Sequence, residues 1–99
     1  MSDATWRTSL HIAVDHPSLL GHFPGDPVVP GVMLLEQVAL ALRSWRGERL
    51  ARVVEAKFVA PLRPGEQAEL HLADVQGRIR FEIRRGGTLL ARGVVEGAL

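Results

Sequence analysis

The sequence predicts an α+β domain in which an antiparallel sheet wraps around one central helix. Five stretches alternate polar and apolar side chains, which is the pattern of strands with one buried face. One further stretch is apolar on nearly every side over its first eleven positions, from Val32 to Leu42, which is typical of a buried helix. A sheet around such a helix buries the apolar surface of both elements. We therefore expect a single domain over residues 1–99.

The first strand is predicted over residues 8–14, where Leu10, Ile12 and Val14 share one face. The helix follows over 32–46. Pro30-Gly31 opens it because proline suits the first helical turn, and Gly47 ends it. Turns rich in glycine and proline separate the remaining segments and predict a meander of four strands, over residues 51–60, 66–73, 78–84 and 88–96.

Composition narrows the function classes. The 99 residues include no cysteine, which excludes disulfides, thiolate metal sites and a cysteine nucleophile. A net charge of +1 argues against a nucleic-acid-binding protein. The longest nearly apolar run is far shorter than the roughly 20 residues that span a bilayer, and the N-terminus lacks a signal-peptide pattern. We expect a cytoplasmic protein without a membrane segment, supported by a second copy of the chain because its core is small.

A proline- and glycine-rich loop over residues 16–31 carries the first candidate site residue. Such a loop is stiff, and it fixes His22 more firmly than a structural histidine requires. Histidine titrates near neutral pH and is the commonest general base, although a hydrogen-bonded loop histidine is the simpler interpretation. Gly31 leaves no side chain beside the first free amides of the helix. These N–H groups and the positive end of the helix dipole can receive a developing oxyanion.

Glu36 is the second candidate group. Its sequence neighbours are Leu34, Leu35, Val38, Ala39 and Leu40, so the sequence predicts a carboxyl group in apolar surroundings with a raised pKa, able to donate a proton. Glu36 lies five residues after Gly31, or roughly 7.5 Å along a helix. A base, an oxyanion site and an acid in this order suit removal of a proton next to a carbonyl, with loss of a β-substituent.

Two stretches carry a resemblance to a known family. His22-Phe23-Pro24-Gly25, Pro27-Val28, Pro30-Gly31-Val32 and Glu36 resemble the signature of the FabA/FabZ-type 3-hydroxyacyl-(acyl-carrier-protein) dehydratases. Lys57-Phe58, Pro61-Leu62 and Pro64-Gly65-Glu66 resemble a downstream element of that family. The resemblance implies a hot-dog fold and a homodimer or larger homo-oligomer, in which the histidine of one protomer faces the acid of the other.

The resemblance also implies roles for these residues. His22 would take the C2 proton, Glu36 would protonate or orient the departing C3 hydroxyl, and the Gly31 amide would hold the thioester oxygen. Val32 and Phe23 would bind substrate. The acid is Glu, as in FabZ-type enzymes, which implies a trans-2-enoyl product without isomerisation. The acyl group would arrive on the phosphopantetheine arm of acyl carrier protein, with no metal or redox cofactor.

Three departures from the family pattern keep alternatives open. Val29 replaces a usual Met, Leu40 replaces a usual Gln four residues after the acid, and the family's N-terminal segment is not found before the first strand. A weakly catalytic or non-catalytic subunit of a heteromeric dehydratase is the main alternative, and a hot-dog thioesterase is a weaker one. Fatty-acid and polyketide- or polyene-type pathways are not separated by these residues.

Arginine dominates the basic residues, at eleven of the twelve. Arg43, Arg46 and Arg49 lie close together at the predicted end of the helix. They can be read as a solvated surface, or as a landing site for the acidic carrier protein and its phosphate.

Overall fold

A computed structural model describes residues 4–16 and 28–99 of the chain. The predicted order of one strand, one helix and four strands is confirmed. The elements are β1 (Thr5–His11), α1 (Gly31–Arg46), β2 (Arg49–Phe58), β3 (Gln67–Val75), β4 (Arg78–Arg85) and β5 (Thr88–Ala98).

The five strands form one antiparallel sheet in the order β1-β3-β4-β5-β2. β3, β4 and β5 form the predicted meander, but β2 pairs with β5 instead of with β3. The connection over residues 59–66 is longer than the two to five residues of a tight hairpin, so it can carry the chain past the end of the sheet to β3. β1 and β2, which flank α1 in sequence, therefore form the two edges of the sheet.

The hydrophobic core lies between α1 and one face of the sheet. Cross-strand pairs such as Leu70 with Ile83 keep the large apolar side chains of neighbouring strands on that face. The sheet contributes Leu10, Ala68, Leu70, Leu72, Ile79, Phe81, Ile83, Leu90, Ala91 and Val95, and the helix contributes Met33, Leu34, Val38, Ala41 and Leu42.

The helix begins after Pro30 and ends at Gly47, whose φ of 67° is left-handed and whose N–H donates to the Arg43 carbonyl oxygen at 2.8 Å. The expectation that its N-terminal half is buried on every side is wrong for this single chain. Val32 and Leu40 keep 64% and 61% of their surface exposed, and Glu36 between them is also exposed. A single sheet covers only one side of a helix, so this stripe stays open.

Two irregularities in β2 shift its register against β5. Register shifts occur between Leu50 and Arg52 and between Val53 and Glu55, so Val53 pairs with Val95. Gly93, opposite Ala56, lets the strands approach closely, since an added Cβ would lie 2.3 Å from the Glu55 carbonyl oxygen.

No helix among residues 4–16 and 28–99 has both the length and the apolar character needed to cross a membrane.

Candidate active site

The predicted catalytic and substrate-binding residues fall into two groups. His22 and Phe23 lie outside the described residues, so their predicted roles stay predictions. Gly31, Val32 and Glu36 all lie on α1, as the sequence predicts.

The N-terminal end of α1 presents backbone N–H groups. Pro30 precedes the helix in an extended conformation, with φ −61° and ψ 147°, and no side chain caps the helix there. Met33 N–H donates to the Pro30 carbonyl oxygen at 3.0 Å. The N–H groups of Gly31 and Val32 have no acceptor within the helix, because the first turn of any α-helix lacks one. They can donate to the oxygen of a ligand, and the helix dipole favours negative charge there.

A groove of about 390 Å³ lies beside this helix end. All side chains in its walls are apolar, and they come from two segments, residues 28–31 and 58–62, together with Leu34. The Val29 N–H donates to the Leu62 carbonyl oxygen at 2.8 Å, which joins the two segments. This bond fixes the approach to the helix against the turn that follows β2.

Phe58 is the residue of β2 that meets the helix end. A Cβ added to Gly31 would lie 2.8 Å from the Phe58 Cζ atom, so the ring covers the side-chain side of this glycine. The absence of a side chain at Gly31 therefore also makes room for the Phe58 ring, besides the predicted role of leaving space next to the first amides of the helix. The alternation over residues 51–60 predicts that Phe58 shares a strand face with Val54 and Ala56, but it does not predict a contact between Phe58 and Gly31.

Glu36 lines a second groove, of about 430 Å³, further along the same helix. Its other lining residues are Ala39, Leu40, Arg43, Arg49 and Leu50. Leu40 lies one turn after Glu36, so an alkyl side chain borders the carboxyl group where the resembling family has an amide. The two grooves lie along one flank of the molecule, where α1 runs beside β2.

The three arginines grouped by the sequence are separated in the structure. Arg43 and Arg49 line the groove that contains Glu36. Arg46 instead forms a salt bridge with Asp74 and stacks on the Trp45 ring, with Cζ 4.0 Å from the ring centroid. The hydrogen bond from Gly77 N–H and the Arg46 guanidinium hold the pKa of Asp74 below its ordinary value.

The described lining of the two grooves can bind an oxyanion, hold an apolar chain and supply one carboxyl group. Among the described residues, Glu36 is the only His, Asp or Glu in either lining, and no cluster of metal-ligating side chains is found. The expectation that no metal or cofactor takes part stays a prediction.

Comparison with known proteins decides the family. The family model described as ApeI-like, ApeI dehydratase, matches residues 1–94. The chain belongs to this family. Among curated relatives of this ApeI-like chain, the 3-hydroxyacyl-(acyl-carrier-protein) dehydratase FabZ of Haemophilus influenzae is 37% identical over 87 residues, which cover 77% of the chain and 59% of the relative. FabZ of Campylobacter hominis is 38% identical over 82 residues, covering 71% and 57%.

The ApeI-like chain thus spans somewhat less than two thirds of the length of these FabZ relatives. Among solved structures, a chain of the dehydratase heterocomplex ApeI:P from Xenorhabdus doucetiae matches with a TM-score of 0.85 at 20% identity, covering 99% of this chain and 90% of that one. A 1,4-dihydroxy-2-naphthoyl-CoA thioesterase from Synechocystis matches with a TM-score of 0.66 at 19% identity, covering 92% and 78%. The predicted hot-dog fold is confirmed.

Proposed function

We propose that the chain catalyses the dehydration of 3-hydroxyacyl thioesters, carried on acyl carrier protein, to trans-2-enoyl thioesters in the cytoplasm. The observation that supports this best is the arrangement along α1. The backbone of Gly31 and the carboxyl group of Glu36 each border a groove on the flank formed with β2. The membership in a dehydratase family supports the same reaction class.

The proposed reaction uses five residues. His22 removes a proton from C2, and the negative charge that develops on the thioester oxygen is received by the Gly31 and Val32 N–H groups. Glu36 delivers a proton to the C3 hydroxyl, which leaves as water while the C2–C3 double bond forms. Phe23 contacts the acyl chain. One proton and one hydroxyl leave the substrate, so the balance needs neither an oxidant nor a metal ion.

A second copy of the chain is the proposed partner at the open flank. The exposed apolar residues there are Val32 and Leu40 on α1, and Val53 and Phe58 on β2, with 40% and 50% of the last two exposed. β2 is an edge strand of the sheet formed by the described residues, and an edge strand can pair with a strand of another chain. In the proposed homodimer, His22 of one protomer faces Glu36 of its partner. The partner protomer also covers the exposed stripe of α1, which places Glu36 in apolar surroundings.

Arg43 and Arg49 are the proposed contacts of the acidic carrier protein and of its phosphate. Both border the Glu36 groove, and within the described part of the chain neither forms an ion pair. Arg46 is already held by Asp74, so we expect it to contribute less to carrier binding than its two neighbours.

The second candidate function is that of a weakly catalytic or non-catalytic subunit in a heteromeric dehydratase. Leu40 favours it, because this exposed alkyl side chain borders Glu36 and cannot hydrogen-bond a departing hydroxyl or a water molecule. Such a subunit would present its open flank to a different hot-dog chain instead of to its own copy.

The test is turnover of a 3-hydroxyacyl-carrier thioester, followed by enoyl absorbance, with a parallel thiol assay for hydrolysis. We expect His22→Ala and Glu36→Gln to lower the rate at least about 100-fold, since general acid and base groups contribute that much. His11→Ala and Glu55→Gln, exposed residues of β1 and β2, should keep wild-type rates. Full activity in both site variants contradicts the proposal. Thiol release without enoyl formation indicates a thioesterase, and activity only after addition of a second hot-dog chain indicates the heteromeric subunit.

A further inference from the structure

The Phe58 ring lies beside the N-terminal end of α1. It fills the space that a side chain at position 31 would occupy. The three atoms nearest to a Cβ added at Gly31 are all carbons of this ring, at 2.8, 3.0 and 3.1 Å. The ring is nevertheless half exposed, because its other side forms part of the groove wall. One side of Phe58 therefore contacts Gly31, and the other is available to a ligand.

The position of this ring bears on one carbon atom of the substrate. A thioester whose oxygen accepts a hydrogen bond from the Gly31 amide has its C2 atom only two bonds from that oxygen. C2 is then held close to the backbone of Gly31, beside which Phe58 forms the neighbouring part of the groove wall. A branch on C2 adds a methyl group in this neighbourhood, where the ring leaves too little space even for a Cβ at residue 31.

We propose that Phe58 determines specificity by excluding acyl thioesters with an alkyl branch at C2, so that the substrates are 3-hydroxyacyl thioesters with an unsubstituted CH₂ at C2. This inference rests on the proposed function. A 2-methyl-3-hydroxyacyl thioester still carries one C2 proton, so its dehydration is chemically possible and space alone decides. Apolar pockets separate ligands that differ by one methyl group by roughly 10- to 200-fold, which sets the expected size of the effect.

The turnover test compares 3-hydroxybutyryl-pantetheine with 2-methyl-3-hydroxybutyryl-pantetheine, the latter as a mixture of its C2 epimers. Wild-type protein should convert the unbranched thioester at least about 10-fold faster. Phe58→Leu and Phe58→Ala should reduce this ratio at least about fivefold, by raising the rate with the branched compound. Val59→Ala, a change in the same groove at a residue that is not among the nearest contacts of Gly31, should leave the ratio as in wild type. Equal rates for both compounds in wild type, or an unchanged ratio in both Phe58 variants, overturn the proposal.

A binding measurement keeps this proposal separate from the proposed function. The probes are the two amide-linked analogues of these compounds, which cannot be hydrolysed, titrated into wild type and into Phe58→Leu by calorimetry. Absence of turnover in wild type contradicts the dehydratase proposal alone. The proposed role of Phe58 is then judged by the ratio of the two dissociation constants. Wild-type protein should bind the unbranched analogue at least about 10-fold more tightly, and this difference should be smaller in Phe58→Leu. Equal binding of the two analogues, or binding of neither, overturns that role.

Discussion

Arg46 in the last turn of α1 forms a salt bridge with Asp74 near the end of β3, with Nη1 2.5 Å from Oδ2. Asp74 also accepts the Gly77 N–H at 2.9 Å, and Arg46 stacks on Trp45. The pair joins the C-terminal end of the helix to the β3–β4 turn. It lies outside both grooves of the candidate site, which means that one of the three arginines predicted for carrier binding has a structural role.

Removal of Arg46 should lower thermal stability more than removal of its neighbour Arg43. Both are basic residues of the last helical turn, so they interact alike with the helix dipole, but only Arg46 contacts Trp45 and Asp74. We expect Arg46→Ala to lower the Tm by about 2–5 °C and Arg43→Ala by less than about 1 °C. Differential scanning calorimetry measures both values. Equal losses in the two variants would show that the salt bridge and the stacking contribute nothing.

Asp74 should make folding stability dependent on acid. Its pKa is lowered first by the Gly77 N–H and then by Arg46. A carboxyl group with a lowered pKa stabilises the folded state above its unfolded pKa, and this stabilisation is lost as pH falls through the folded value. We expect the difference in urea midpoint between wild type and Asp74→Asn to be largest at neutral pH and to shrink below about pH 4. A difference that stays constant from pH 7 to pH 3 contradicts this assignment.

Gly93 should be intolerant of even a methyl group. An added Cβ would lie 2.3 Å from the Glu55 carbonyl oxygen and 2.5 Å from a ring carbon of Phe81, a side chain with no exposed surface. Overpacking of this kind costs about 1–3 kcal/mol or more of unfolding free energy. Gly87→Ala is the matched control, because a Cβ there would meet nothing within 4 Å and Gly87 has no positive φ. Chemical denaturation should show a large loss for Gly93→Ala only, and equal stability of the two variants would contradict the close approach of β2 and β5.

The exposed stripe of α1 should hold two copies of the chain together. Leu40→Asp places a charge within this stripe, and we expect it to weaken the dimer at least about 100-fold, because an unpaired charge is costly in a buried interface. Val75→Asp changes another exposed apolar residue, at the end of β3, and should leave the dimer intact. Analytical ultracentrifugation measures both dissociation constants. A dimer that survives Leu40→Asp would mean that the protomers associate through another surface.

The sequence predicted the elements and their order because alternation and helical periodicity are local signals. Val32 to Arg46 is the helix to within one residue, and β4 begins at its predicted residue. The pairing of β2 with β5 could not be predicted in this way, since it depends on how the sheet closes around the helix. The exposure of Leu40 was missed for a related reason: apolar neighbours in sequence do not reveal how much of a helix a single sheet can cover.

The sequence predicts which residues of α1 belong to the candidate site, but it does not predict which residues from other elements line the grooves beside them. Gly31 and Glu36 lie on one helix, so their relation follows from helical geometry alone. Phe58 reaches Gly31 through a contact between residues 27 positions apart, and Arg46 is diverted by a partner 28 positions away. Contacts of this kind depend on the tertiary fold, and no spacing within the sequence signals them.

The hydrogen bond from Val29 to the Leu62 carbonyl has a consequence for recombination between related genes. It makes the stretch that leads into the helix and the turn after β2 one structural unit, although 33 positions separate them in the chain. A chimera that exchanges only one of the two stretches would place a stretch from one parent protein against a stretch from the other, although the two stretches contact each other. Crossover points placed before residue 28 and after residue 62 keep both stretches from the same parent, together with the Phe58 wall between them.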